Sequence, residues 1–159
     1  MKKAILISFI FCPFFSFGQT LYNPQDLYDS PGGLFDKDSL REIYVNFQDP
    51  NYHNVLVNSF FTSPSSRIPA TITINGVSLD SAGVRYKGNS TFCLPNDNGN
   101  PKVPFNIDMN YWISGQKLLD YKKIKLANAW MDPTFAKEYT AAKIYRKYLP
   151  SAEVNLTKL

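Results

Sequence analysis

Ile68-Pro69-Ala70-Thr71-Ile72-Thr73-Ile74-Asn75-Gly76-Val77-Ser78-Leu79 is the stretch whose reading decides the fold. Ile72 and Ile74 alternate with Thr71 and Thr73, the period-2 pattern of a strand with one face in a core. Asn75-Gly76 suits a two-residue hairpin turn, because both central positions of that turn take a positive φ. Residues 77–87 then return as the second strand. Outward from this hairpin the same alternation recurs. Residues 41–47 set Ile43, Val45 and Phe47 against Glu42, Tyr44 and Asn46. Residues 103–111 set Phe105, Ile107 and Met109 against Asn106, Asp108 and Asn110, as in a half-buried strand. Residues 117–126 turn Ile124 and Leu126 inward, with Lys123 and Lys125 opposite. Asp49-Pro50 opens a helix with Val55, Leu56, Phe60 and Phe61 on its apolar side, stopped by Ser63-Pro64-Ser65-Ser66. A second helix is expected over 133–148, with Asp132 as N-cap and Phe135, Tyr139, Ala142, Tyr145 and Leu149 as its packed face. Between them, residues 96–101 read as a polar loop. The fold class is α+β: an antiparallel sheet with two helices.

The ends bound the setting. Lys2 and Lys3 precede an apolar run over 4–17, broken by Pro13, and Ser16-Phe17-Gly18 places small residues where a signal peptidase reads. Residues 1–18 therefore read as a cleavable signal peptide, leaving Gln19 first and the protein secreted or held in the cell envelope. The run is too short and broken for a membrane helix, and Phe9-Ile10-Phe11 ahead of Cys12 lacks the small residues of a lipoprotein signal. No stable membrane anchor is expected. Residues 19–38 read as a surface lead-in, and 39–159 as the folded part. After cleavage Cys93 is the sole cysteine, so burial rather than a disulfide must hold the fold. Losing Lys2 and Lys3 takes the formal charge from +4 to +2, too little for a nucleic-acid partner. Residues 150–159 read as a loop entering a strand without a completed partner, as in the N-terminal part of a longer protein.

Chemistry concentrates at Gly83-Val84-Arg85-Tyr86-Lys87-Gly88-Asn89-Ser90-Thr91. Alternation puts Val84 and Tyr86 on one face, and Arg85, Lys87 and Asn89 on the other. Backbone N–H groups of a small polar loop beside two cations suit an anion such as a phosphate. Two solvated cations on a sheet face are the plainer reading. On the last helix, Glu138 falls within the apolar stripe, where a carboxylate needs a partner. Lys123 and Lys125 are the nearest upstream strand cations. A Lys125–Glu138 pair would be the strand–helix pair by which protein kinases hold a lysine on nucleotide phosphates. Glu138 at the stripe's edge, or against Arg146, is the alternative. His53 stands alone, which argues against a metal site or a Ser-His-Asp set. Asp108 and Asp120 are candidate metal-facing carboxylates, or simply solvated. Asn89-Ser90-Thr91 and Asn155-Leu156-Thr157 match the glycosylation acceptor pattern.

Arg85-Tyr86-Lys87-Gly88-Asn89-Ser90, the strand Lys122-Lys123-Ile124-Lys125-Leu126-Ala127-Asn128, and Asp132 opening the last helix together resemble the CotH (spore coat protein H-like) kinase family. The resemblance covers about 40–159, the N-terminal part of the family domain. It implies a reduced, atypical protein-kinase-like fold that transfers the γ-phosphoryl of ATP to Ser or Thr of a protein substrate on the cell surface or outside the cell. The expected cofactors are ATP and a divalent metal, Mg or Mn. Arg85, Lys87, Gly88, Asn89 and Ser90 match the family's loop motif and would lie near the phosphates; Lys125 and Glu138 are added from the residues alone. The family's catalytic and metal-binding aspartates lie further along, so this segment carries no catalytic residue and is expected to be inactive alone. Two other readings stand beside it. One is a non-catalytic secreted adhesion or surface-assembly domain of the same fold. The other is a carbohydrate-binding module using Trp112, Trp130 and the tyrosines.

Overall fold

A computed structural model describes residues 31–36 and 38–159; the expected signal peptide and the lead-in as far as residue 30 lie outside them. The elements in chain order are β1 (Arg41–Phe47), α1 (Tyr52–Thr62), β2 (Ile68–Ile74), β3 (Val77–Tyr86), α2 (Ser90–Asp97), β4 (Phe105–Asp108), β5 (Lys123–Leu126), α3 (Lys137–Tyr145) and β6 (Thr157–Lys158). They build an α+β fold on one six-stranded mixed sheet, ordered β5-β4-β3-β2-β1-β6. All neighbours are antiparallel except β6, which runs parallel to β1 at Arg41 and Glu42.

The central hairpin forms as its sequence dictates. Asn75 (φ 52°) and Gly76 (φ 77°) both take positive φ, the conformation that matches the turn to the strands' twist. Further along β3 the register slips between Ala70 and Ile72. Thr71 lies opposite both Asp80 and Ser81, and Ser81 adopts φ 61°. This bulge sets the phase of the strand. Leu79 packs against the core on one side of it, and Ala82, Val84 and Tyr86 are buried on the other. Plain alternation would have put Leu79 on the face of Arg85.

Several expectations are corrected. Residues 90–97 form a helix, overlapping the loop expected up to Thr91 and the start of the polar loop expected over 96–101, and it contains Pro95. Pro95 has no N–H to give the carbonyl of Thr91 four residues back. The Asn128 side chain supplies that bond, donating to Thr91 O at 2.9 Å and to Lys102 O at 3.0 Å. Phe92 and Pro95 are fully buried, and Phe92 packs on Phe60 with ring centroids 4.0 Å apart. Second, β4 is buried on both faces rather than half-buried. Arg67 crosses its outer face, donating to Gly83 O, Asn106 O and Asn106 Oδ1 and pairing with Asp108. The long strand expected over 117–126 is likewise only β5, because 118–121 close a tight turn with Leu119 and Asp120 at positive φ.

Another correction is α3. It is shorter than 133–148 and has no buried residue: Phe135, Tyr145 and Leu149 are exposed. The expected packed stripe does not meet the sheet. α3 is fastened by charge instead, Lys143 and Arg146 holding the buried carboxylate of Glu153 at 2.5 and 3.2 Å. The described end of the lead-in is also less superficial than expected. Leu34 joins the core, and Asn155 donates to the carbonyls of Leu34, Asp36 and Ser39. No helix among the described residues is long and apolar enough to cross a membrane.

Candidate functional site

An open cleft of about 340 Å³ lies where β3, α2, the exit of β5 and the start of α3 converge. Lys87 reaches it from the end of β3, where its N–H donates to Pro104 O at 3.1 Å. Thr91 lines it from the first turn of α2, and Asn128, Trp130 and Asp132 from the segment after β5. Lys137 and Glu138 come from the first turn of α3. Two cations and two carboxylates thus share one concave surface.

Local chemistry explains the wall. Gly88 turns the chain from β3 to α2 at φ +84°, and an added Cβ would lie 2.2 Å from Thr91 Oγ1, so conformation and space both require glycine. After β5, Ala129, Met131 and Phe135 all take positive φ without being glycine. Each such residue costs about 1 kcal/mol or more, which surrounding contacts must offset. Asp132 provides those contacts. Its Oδ1 accepts from the N–H and hydroxyl of Thr134, and its Oδ2 accepts from the N–H of Lys137 at 2.8 Å. The Thr134 hydroxyl, then the N–H groups of Lys137 and Thr134, hold the Asp132 carboxyl below the ordinary carboxylate range, against an opposing effect of burial. Asp132 is therefore not the N-cap that the sequence suggested: Ala136 holds that position, and Asp132 reaches the N–H of Lys137, the first helical residue, across the intervening turn. Trp130 Nε1 is buried in this wall without a hydrogen-bond partner.

Of the residues expected near an anion, Lys87 and Glu138 line the cleft, and Gly88 shapes its rim. Asn89 and Ser90 are exposed at the start of α2, where the Asn89 carbonyl accepts from Phe92 and Cys93. Arg85 turns to the outer face of the sheet and donates to the carbonyl of Pro64. Lys125 also stands exposed on that face, away from the cleft lining. Glu138 is exposed and makes no ion pair with Lys125. The reason is the one that emptied the helical stripe: α3 does not pack on the sheet, so its wheel does not report what faces β5. Asn128 and Lys137 enter the site without having been read as ligand groups. The signal for Lys137 was its place five residues after Asp132.

The other candidates are accounted for structurally. Asp108 is buried between Arg67 (4.0 Å) and Lys123 (3.1 Å), and Asp120 is exposed in a tight turn. His53 Nδ1 and the Tyr86 hydroxyl hydrogen-bond at 2.7 Å, and burial pushes the Tyr86 phenol well above its ordinary value. Trp112 is exposed, edge-on to Tyr111, with ring centroids 4.7 Å apart. Among the described residues no group of three or more His, Cys, Asp or Glu side chains could hold a metal. Comparison with family models, curated proteins and solved structures finds no match for this chain.

Proposed function

We propose that this chain is the nucleotide-binding, N-terminal part of a secreted CotH-like atypical protein kinase, the whole protein transferring the γ-phosphoryl of ATP to protein Ser or Thr. One observation carries the reading: Lys87 and Glu138 line a single cleft, a lysine leaving a sheet strand and a glutamate on the first turn of a helix, at the rim formed by Gly88. Protein kinases fix a lysine on nucleotide phosphates by pairing it with a helix glutamate, and Lys87 and Glu138 bring the same two residue types to one cleft, without an ion pair between them here. Lys87 takes the part assigned to Lys125 from the sequence.

The residues present fit a nucleotide. A cleft of about 340 Å³ lies within the size range of small-molecule sites. Lys87 and Lys137 would make charge-assisted hydrogen bonds to phosphate oxygens, and the Thr91 hydroxyl would add a neutral one. For a divalent metal the fit is narrower. Both oxygens of Asp132 are committed to Thr134 and Lys137, which leaves Glu138. Mg is commonly held by one or two carboxylates plus substrate phosphates, so Glu138 would be a partial ligand at most. When bound, the metal supplies charge neutralisation at the phosphates. The described cleft offers no further carboxylate to position an acceptor hydroxyl. This chain is therefore expected to bind nucleotide without transferring its phosphoryl group.

Calorimetric titration of the mature chain with MgATP tests the reading. Lys87→Ala should weaken binding about tenfold, the loss of one charge-assisted phosphate contact, and Glu138→Gln should weaken it less. Absence of binding to the unaltered chain, or equal affinity in both variants, overturns it. The non-catalytic surface-assembly reading is favoured by a different observation: Ile144, Tyr145, Tyr148 and Leu149 are each more than half exposed on and after α3. An apolar patch of that kind marks a partner surface.

A further inference from the structure

The sheet ends at β5, which pairs with β4 along one side only. Among the described residues no other backbone hydrogen bond reaches Lys123–Leu126. The strand therefore presents unmet N–H and C=O groups along its other side. Ile124 and Leu126 turn into the core, while Lys123 and Lys125 stand on the outer face, one strand repeat apart. The Lys123 side chain is 61 % exposed. The cations continue inward across the sheet: Lys125 lies opposite Asn106, which lies opposite Arg85, and Lys123 lies opposite Asp108. Arg67, Arg85, Lys123 and Lys125 thus cluster at the β3–β5 end of this face around Asp108, which already serves Arg67 and Lys123, while Asp80 and Glu42 stand on the same face beside Thr71 and Tyr44.

We propose that the free edge of β5 takes up an extended acidic polypeptide segment as an added strand, with carboxylates at alternate positions meeting Lys123 and Lys125. Two features select this partner. Alternate side chains of a strand share one face about 7 Å apart, so a segment with acids at every second residue matches the lysine spacing. The unmet backbone groups of an edge pair with another polypeptide backbone, which a polysaccharide or a lipid surface does not have. The inference is independent of the nucleotide reading, because neither lysine lines the cleft.

The test is fluorescence anisotropy of the mature chain with a fluorescein-labelled peptide, Thr-Glu-Val-Glu-Val-Glu-Thr. Two control peptides accompany it: one of the same composition with its glutamates contiguous, and one with the backbone N-methylated. The alternating peptide should bind at low salt and both controls at least about tenfold more weakly, since each lacks half of the match. Lys125→Glu combined with Lys123→Gln should weaken the alternating peptide about tenfold. The second change is to glutamine so that Asp108 keeps Arg67 without gaining a like-charged neighbour. If circular dichroism shows that the double variant is unfolded, Lys125→Glu alone is read. Three results would each overturn the proposal: no binding of the alternating peptide, equal binding of the controls, or binding untouched by the variants. In that event the lysines act as guards that keep the edge from pairing. MgATP titration of the same preparations keeps the two readings apart, since loss of nucleotide binding with peptide binding intact sinks only the former.

Discussion

Asn128 shows how one side chain lets an unfavourable residue stand. Pro95 sits inside α2 and withholds a donor from Thr91 O, and the buried Asn128 amide replaces it while also holding Lys102 O. Removing it by Asn128→Ala would leave two carbonyls short of partners, a loss of about 2 kcal/mol, read as a lower urea midpoint with unchanged slope. The mechanism has its own check. In a Pro95→Ala background the helix regains its N–H, so Asn128→Ala should cost clearly less there, and additive losses in the double-mutant cycle would refute it. In the sequence, Asn128 could be singled out by family resemblance, and its bond to Thr91 could not. The two lie 37 positions apart and meet only after β4 and β5 have paired.

At the scale of elements, alternation and turn chemistry located β1, the β2–β3 hairpin and the inward faces of β4 and β5, because those signals are local. The bulge in β3 was not legible. One extra residue reverses the phase of everything before it, and Ser81 carries no glycine to mark its φ of 61°. Ser81→Gly should therefore raise stability by about 0.5–1 kcal/mol, by removing the left-handed penalty, and Ser81→Val should lower it. Thermal or urea unfolding of the pair decides: if glycine destabilises, backbone strain is not what Ser81 contributes. α3 makes the complementary point. Its sequence has a helical stripe, yet amphipathic periodicity states only that a face is apolar, not that something in the same molecule covers it.

Across the whole molecule, stability is expected to be uneven. The core runs through β1–β5, α1 and α2, whereas α3 rests on the bond from Lys137 N–H to Asp132 and on Glu153 between Lys143 and Arg146. Glu153→Gln removes the charge that fastens α3 but touches little of the core. Amide exchange in 137–145 should therefore quicken by tenfold or more, while β2 and β3 keep their protection. Uniform acceleration would mean that α3 is integral to the folding unit. The cleft depends on this weak joint, because Glu138 and Lys137 stand on α3 and Lys87 follows directly on β3. What the sequence determined by itself was the hairpin at Asn75-Gly76, the alternating inward faces of β1, β2, β4 and β5, and the glycine turn that follows Lys87, since each depends on residues within a few positions of one another. Only the tertiary structure decided which cation shares a cleft with Glu138, which strand is left with an open edge, and which helix stays uncovered. Those outcomes depend on the strand order and on how α3 is fastened, and no local spacing encodes either.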